Sequence, residues 1–256
     1  MNKELTTLFT GRNIISIKEI DSTSSYLLAL MRERQVPEGT LVRTQNQQSG
    51  RGQLGTRWHS EEGKNLLMSL LFYPTFIVPK SLFLLNKAYA LGVYDFAVSM
   101  LGGDVKIKWP NDIYWKTKKL GGLLIENSIS TGVVNNSVLG IGLNVNEIDF
   151  PSTLPNPTSI AKVRPGNYDL NEMMHRLCNS IEARYLQLKR GEKSLLDHEY
   201  HKALFRFEEW SFYEDKKGKF PGCIRGVDNQ GQLKVEDEDG EIRYYDLKEI
   251  KFLGLS

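Results

Sequence analysis

Apolar positions recur along the chain with two different periods, and the switches between them mark out the elements. From Asn13 to Ile20, Ile15 and Ile17 alternate with Ser16 and Lys18, the period of a strand. Asp21-Ser22-Thr23-Ser24 then offers several N-caps, and Tyr26, Leu27, Leu30 and Met31 follow at helical spacing until Pro37-Glu38-Gly39. Leu41 to Thr44 is a short strand, and Asn65 to Tyr73 a buried one. Ser81 opens a long helix with Leu82, Leu85, Tyr89, Val93, Phe96 and Met100 on one face, ended by Gly102-Gly103. Val105, Ile107 and Trp109 alternate with Lys106 and Lys108 in a strand that Pro110 should weaken. Leu120–Ile125 and Ser137–Val145 predict further strands, and Leu170, Met173, Met174, Leu177, Ile181 and Tyr185 a second long amphipathic helix.

This irregular mixing points to α/β or α+β rather than a regular βαβ repeat. After Phe205 the pattern changes to short alternating segments around Lys217-Gly218, Asp228-Asn229-Gln230-Gly231 and Asp239-Gly240, the signature of a small β-module of hairpins. The boundary is expected near residue 206, giving domains 1–206 and 207–256.

Composition narrows the function classes. A chain of 256 residues with a formal net charge of +2 has no concentrated basic face of the kind nucleic-acid binders carry. The Met1-Asn2-Lys3-Glu4-Leu5 start opens no apolar run, and Leu66 to Phe76 is too short to span a bilayer, so a cytoplasmic protein with neither a membrane nor a nucleic-acid partner is expected. Cys178 and Cys223, the only cysteines, are too few for a disulfide framework and read as core residues. No metal-ligand cluster is visible.

Residues 45–65 are rich in Gln, Gly and charge and lack periodicity, the mark of a functional or a merely flexible loop. Gly50, Gly52 and Gly55 fit G-x-G-x-x-G, but no helix follows Gly55, so the dinucleotide-binding reading fails. No kinase or Walker motif completes it. The glycines would let the backbone approach a ligand, Arg51 supplies a fork for an anion, and Trp58 could cover a flat ring. Lys108-Trp109-Pro110-Asn111-Asp112 sits at a strand end, where Asn111-Asp112 also suits a plain turn. In Lys119-Leu120-Gly121-Gly122, a lysine precedes a glycine pair that would let a ligand lie against a strand. Asn144 turns away from Leu143 and Val145; an adenine edge or a structural partner would satisfy it equally.

Taken in order, Asp21-Ser22-Thr23-Ser24, Gln47-Gln48-Ser49-Gly50-Arg51-Gly52, Lys108 to Asp112, Lys119 to Gly122 and Gly142-Leu143-Asn144-Val145-Asn146 resemble the biotin protein ligase family over nearly the whole chain. The resemblance implies an α+β fold: a mixed sheet with flanking helices, related to class II aminoacyl-tRNA synthetases, and a C-terminal SH3-like β-module. It implies activation of biotin by ATP with Mg²⁺ to biotinyl-5'-AMP, then transfer to a lysine of a biotin carboxyl carrier domain. It carries biotin contacts onto Ser22, Thr23, Ser24, Gln47 and the backbone of Arg51 and Gly52, the carboxyl–phosphate bridge onto Lys119, and adenine onto Asn144. Gly50, Gln53, Trp58, Asn111, Gly121 and Gly122 complete the expected binding set, with Lys119, Arg51 and Asp112 as catalytic candidates and Asp112 orienting or deprotonating the acceptor amine. The family commonly dimerises.

Two departures stand out. The family's fuller loop often reads Gly-Arg-Gly-Arg-Arg-Gly-Arg, where this chain has Gln53, Leu54 and Thr56, which implies weaker retention of the adenylate; Ser24 replaces the more usual asparagine. The rival within the fold is a lipoate ligase, disfavoured by Trp109-Pro110 and the C-terminal module. The rival of another class is a biotin-responsive repressor; the Asp21-Ser22-Thr23 motif comes after only twenty residues, so no DNA-binding domain and no repression are expected. An RNA-binding C-terminal module lacks a basic-aromatic stripe.

Overall fold

The structure, a computed structural model, describes residues 5–255; Met1 to Glu4, the start expected to open no apolar run, and Ser256 lie outside the described residues. Strand β1 (Ile14–Ile20) leads into helix α1 (Thr23–Glu33), whose N-cap is Ser22. Strand β2 (Leu41–Gln47) follows, then β3 (Leu66–Phe72), helix α2 (Phe83–Leu101) and the antiparallel run β4 (Val105–Lys108), β5 (Asp112–Trp115), β6 (Lys118–Ser130) and β7 (Val133–Leu143). Helices α3 (Ile160–Val163), α4 (Leu170–Lys189) and α5 (Lys193–Ala203) precede the last strands, β8 (Trp210–Asp215), β9 (Gly218–Val227), β10 (Leu233–Asp237), β11 (Ile242–Tyr245) and β12 (Lys251–Phe252).

The first sheet has the order β1-β2-β3-β7-β6-β5-β4, with only β1 and β2 parallel; the second, antiparallel throughout, has the order β11-β10-β9-β8-β12. This is the mixed α+β fold with a separate small β-module.

Several expectations change in detail. Helix α1 stops at Glu33, ahead of Pro37, because Arg34 is already extended. A 3-10 turn at Pro79–Ser81 precedes α2, which starts at Phe83 rather than Ser81. Asp112 opens strand β5 instead of ending in a turn, since the chain turns at 109–111.

Alternation divides the first sheet's two faces. Met68, Leu70, Phe72, Leu139, Ile141 and Leu143 face α2 and α4 in the main core, whereas Leu71 and Val138 face α1 in a smaller cluster with Leu27 and Leu30. The main core continues into the second sheet through Tyr213, Ile224, Val227 and Leu233. At the junction, Trp109 Nε1 donates to Gly231 O at 2.9 Å. Cys178 and Cys223 are buried and free, and burial pushes the Cys178 thiol up to about 12. Among the described residues no helix is long and apolar enough to cross a membrane.

Candidate active site

On the α1 side, the first sheet carries a row of residues with little or no side chain. Register aligns Leu67 with Gly142, Gly142 with Gly122, and Gly122 with Asp112; one step on, Ser69 pairs with Gly140 and Gly140 with Leu124. The missing side chains at Gly122, Gly140 and Gly142 open a cavity of about 880 Å³ between the sheet, the loop after β2 and the C-terminal segment.

Lys119 enters this cavity through an irregularity. Residues 119 and 122 would face opposite sides of a regular strand. Pairing passes from Ile113–Gly121 to Tyr114–Lys119, leaving Leu120 as an extra residue, and that bulge re-aims the lysine. Leu120 goes into the core and Lys119 Nζ comes within 2.7 Å of Asp112 Oδ1, across the face of Gly122. The backbone of Lys119 is fixed on its other edge, donating to Asn156 O at 2.7 Å and accepting from Thr158 N at 2.8 Å.

The closed end is a cluster of hydroxyls. Thr23 and Ser24 stand in the first turn of α1, and both hydroxyls meet Ser69 Oγ, at 2.7 and 2.9 Å. Gln47 Oε1 accepts from Thr23 N at 2.9 Å and from Thr23 Oγ1 at 3.2 Å, satisfying one of the helix's orphan donors. Ser22, the N-cap, lines the same end. Ser24 lies against Gly140, where a Cβ would come within 2.6 Å of its oxygen.

The segment expected to be structureless is a tight hairpin. Trp58 N donates to Gly50 O at 2.9 Å, Gly52 N to Thr56 O at 2.7 Å, and a 3-10 turn at Gln53–Gly55 forms the tip. Polar hairpins carry no apolar period, which is why pattern reading missed it. Gly50 and Gly52 let the two limbs close, since added Cβ atoms would meet Trp58 O at 2.9 Å and Thr56 Oγ1 even nearer. From this lid Trp58 lays its indole on Gly142, and Lys119 Nζ stands 5.8 Å from the ring centre. Trp58 Nε1 is buried without a partner. Arg51 reaches across to Glu126 on β6 at 2.8 Å. The lid's stem is tied to buried Glu147, which accepts from Asn65 Nδ2 and, at 3.2 Å, from Glu61 N, with His59 Nε2 at 3.3 Å.

Of the residues singled out from sequence, Ser22, Thr23, Ser24, Gln47, Arg51, Gly52, Gln53, Trp58, Asn111, Asp112, Lys119 and Gly122 all line the cavity. Gly50, Gly121 and Asn144 are not among the lining residues. Gly121 packs against Leu143, where a Cβ would come within 2.8 Å of Cδ1. Asn144 Nδ2 donates to Thr158 O at 2.9 Å, while its buried Oδ1 has no partner. Asn111 turns its amide onto Leu123 O and so pins the β4–β5 turn to β6.

Sequence reading missed Ser69, although a lone hydroxyl in the apolar strand Leu66–Phe72 was a signal for it. It also missed the wall formed by Leu247, Ile250 and Phe252 of the second sheet region, which carried no signal beyond strand alternation. Lys108 lines the cavity too. Burial lowers its ammonium's pKa below the ordinary lysine value; Asp112 pulls it back up, and Lys119 and Arg206 push it further down. Among the described residues the lining cations are Arg51, Arg57, Lys108, Lys119, Lys248 and Lys251, and the lining carboxylate is that of Asp112. A chain of near-neutral charge thus gathers a strongly anion-attracting cavity. No group of three or more His, Cys, Asp or Glu residues able to cage a metal occurs among the described residues.

Comparison with known proteins gives a consistent picture. The sequence model of the Biotin/lipoate A/B protein ligase family matches residues 16–144. The bifunctional ligase/repressor BirA of Bacillus spizizenii is 30% identical over 94% of this chain and 74% of its own length. The biotin–[acetyl-CoA-carboxylase] ligase of Mycobacterium tuberculosis is 26% identical over 88% of this chain and 84% of its own. Biotin protein ligase from Aquifex aeolicus, solved in complex with biotin and ATP, superposes with a TM-score of 0.77 at 26% identity, covering 94% of this chain and 98% of that one. With a family match over half its length and relatives that align across both sheets, the chain belongs to the biotin/lipoate A/B protein ligase family.

Proposed function

We propose that this protein joins biotin to ATP and then passes the biotinyl group to a lysine of a biotin carboxyl carrier domain. The observation that carries the reading is Lys119, held beside Asp112 at the middle of a cavity with a hydroxyl-lined closed end and an indole wall. The relatives named as biotin ligases, and the Aquifex enzyme solved with biotin and ATP, support it.

Biotin's ureido head needs both donors and acceptors, which Thr23, Ser24, Ser69 and Gln47 offer together. Its carboxylate then reaches Lys119. One carboxylate oxygen forms a bond to the α-phosphorus as the bond from that phosphorus to the bridging oxygen breaks, and pyrophosphate leaves with the electron pair. Charge grows on the phosphate oxygens, and a fixed ammonium lowers that barrier. Asp112 holds the ammonium in place. Arg51 can exchange Glu126 for phosphate, since both side chains are partly exposed. Trp58 offers its ring to the adenine and, with the lid, keeps water from the mixed anhydride. In the second step the acceptor amine attacks the acyl carbon, loses a proton and expels AMP.

The donor set does not build a resident metal cage. It fits Mg²⁺ carried in by the triphosphate, where Asp112, a lining carboxylate, would hold the ion and the ion would neutralise phosphate charge. ATP and carrier domains as substrates agree with a cytoplasmic setting.

The test is incubation with biotin, Mg²⁺-ATP and a carrier domain, read by intact mass of the carrier. One added biotinyl group is expected. Lipoyl transfer in a parallel incubation, with no biotinyl transfer, would overturn the assignment.

A further inference from the structure

The cavity lining continues past Lys119, on β6, to Lys108 on β4 and to Ile250, Lys251 and Phe252 of the C-terminal region, and this end forms an arm opposite the hydroxyl cluster. Its wall holds Lys108. That ammonium stands 5.5 Å from the Tyr114 ring centre and 4.8 Å from that of Phe252, a residue of the second sheet. The two rings are linked through Phe205, at 6.0 Å from Tyr114 and 6.4 Å from Phe252. Lys119 has Asp112 and Arg51 has Glu126, but among the described residues no carboxylate forms an ion pair with Lys108. Aromatic faces attract an ammonium without taking up its hydrogen-bond donors, which stay available to a ligand.

Resting on the reading above, we propose that this arm is the pyrophosphate subsite, and that Lys108, presented by Tyr114 and Phe252, is its binding cation. The departing group carries several negative charges and must lie on the far side of the α-phosphate from the attacking carboxylate. An arm on the far side of Lys119 from the hydroxyl-lined end meets that requirement. The rival occupant, the incoming acceptor lysine, is itself basic, and Lys108 would repel it. The second sheet then contributes to adenylation through a ring at the site.

The experiment uses the full chain and separates the half-reactions. Pyrophosphorolysis of biotinyl-5'-AMP is followed against pyrophosphate concentration, and transfer from the same adenylate to hydroxylamine is followed without pyrophosphate. Lys108→Met is expected to raise the KM for pyrophosphate roughly 10–100-fold, the worth of one charge-assisted hydrogen bond, with transfer unchanged within about twofold. Lys108→Arg should keep the KM near wild type, and Phe252→Leu should fall between. An unchanged pyrophosphate KM in Lys108→Met, or an equal loss of transfer, overturns the proposal. If Lys108→Met does not fold, Phe252→Leu decides by the same two readouts. A wild-type protein that forms no ATP from adenylate and pyrophosphate would overturn the biotin-ligase reading itself.

Discussion

The Gly142→Ala variant places one methyl group where Trp58 rests. Its Cβ would lie 2.4 Å from Trp58 Cε2, about 1 Å inside the optimal carbon–carbon separation of ~3.5 Å. Either the strand or the ring must give way. Strand β7 is paired on both sides at this position, with Leu67 and with Gly122, whereas Trp58 belongs to a surface hairpin. The ring therefore moves. Overpacking relieved by a mobile side chain should cost stability near the low end of the usual range, about 1 kcal/mol, or a Tm drop of roughly 2–4 °C. The site should suffer far more, because a displacement of about 1 Å in a group that positions substrate costs on the order of 10²-fold in rate. Single-turnover adenylation, read as pyrophosphate release, measures the second effect and calorimetry the first. Adenylation within threefold of wild type, together with a Tm lower by about 10 °C, would show that the strand yields rather than the ring; the account of the cavity floor would then be wrong.

Lys119→Ala removes the ammonium from a partly exposed position, so adenylation should fall by orders of magnitude with little change in Tm; an unchanged stopped-flow rate would refute the role. Asp197→Asn tests a structural pair: Lys87 is buried and its partner is Asp197, so losing the carboxylate should cost about 2–3 kcal/mol, toward the low end for a buried pair because Asp197 is partly exposed. Burial alone would raise the Asp197 pKa, but hydrogen bonds and charges from His201 and Lys87 together hold it below the ordinary carboxylate value. Its stabilisation is then complete above the unfolded pKa of ~3.9 and is lost as pH falls below it, so the Tm gap to Asp197→Asn should close in acid; a gap constant down to pH ~3 contradicts this. Trypsin should cleave the lid after Arg51 and Arg57, both exposed, and biotin with ATP should slow that cleavage; equal rates with and without ligand argue against closure.

Much of the architecture was legible because periodicity follows burial. The long helices and the core strands each bury one face, and their apolar spacing says so. Helix α5 and strand β5 went unread. Strand β5 spans only Asp112–Trp115, and a segment of four residues is too short for a period to register. The residues around the cavity were legible one motif at a time, because hydroxyls beside a helix start, a glycine-rich polar loop and a lysine before paired glycines are unusual in a core or on a plain surface. What could not be read was anything set by pairing between distant strands. The face that Lys119 occupies depends on how β6 meets β5, and the aromatic support of Lys108 depends on where Phe252 docks, more than a hundred residues away.

The extra residue at Leu120 means that the site is written partly in spacing. Lengthening β5 by one residue opposite Leu120 would restore a regular ladder and leave Lys119, Gly122 and Asp112 all present, yet would turn the lysine toward the opposite face of the sheet. Among relatives of this protein, a one-residue insertion in β5 opposite the bulge should therefore be more damaging than most substitutions within the two motifs. An alignment that scores residue identity and tolerates short gaps would rate such a chain as intact.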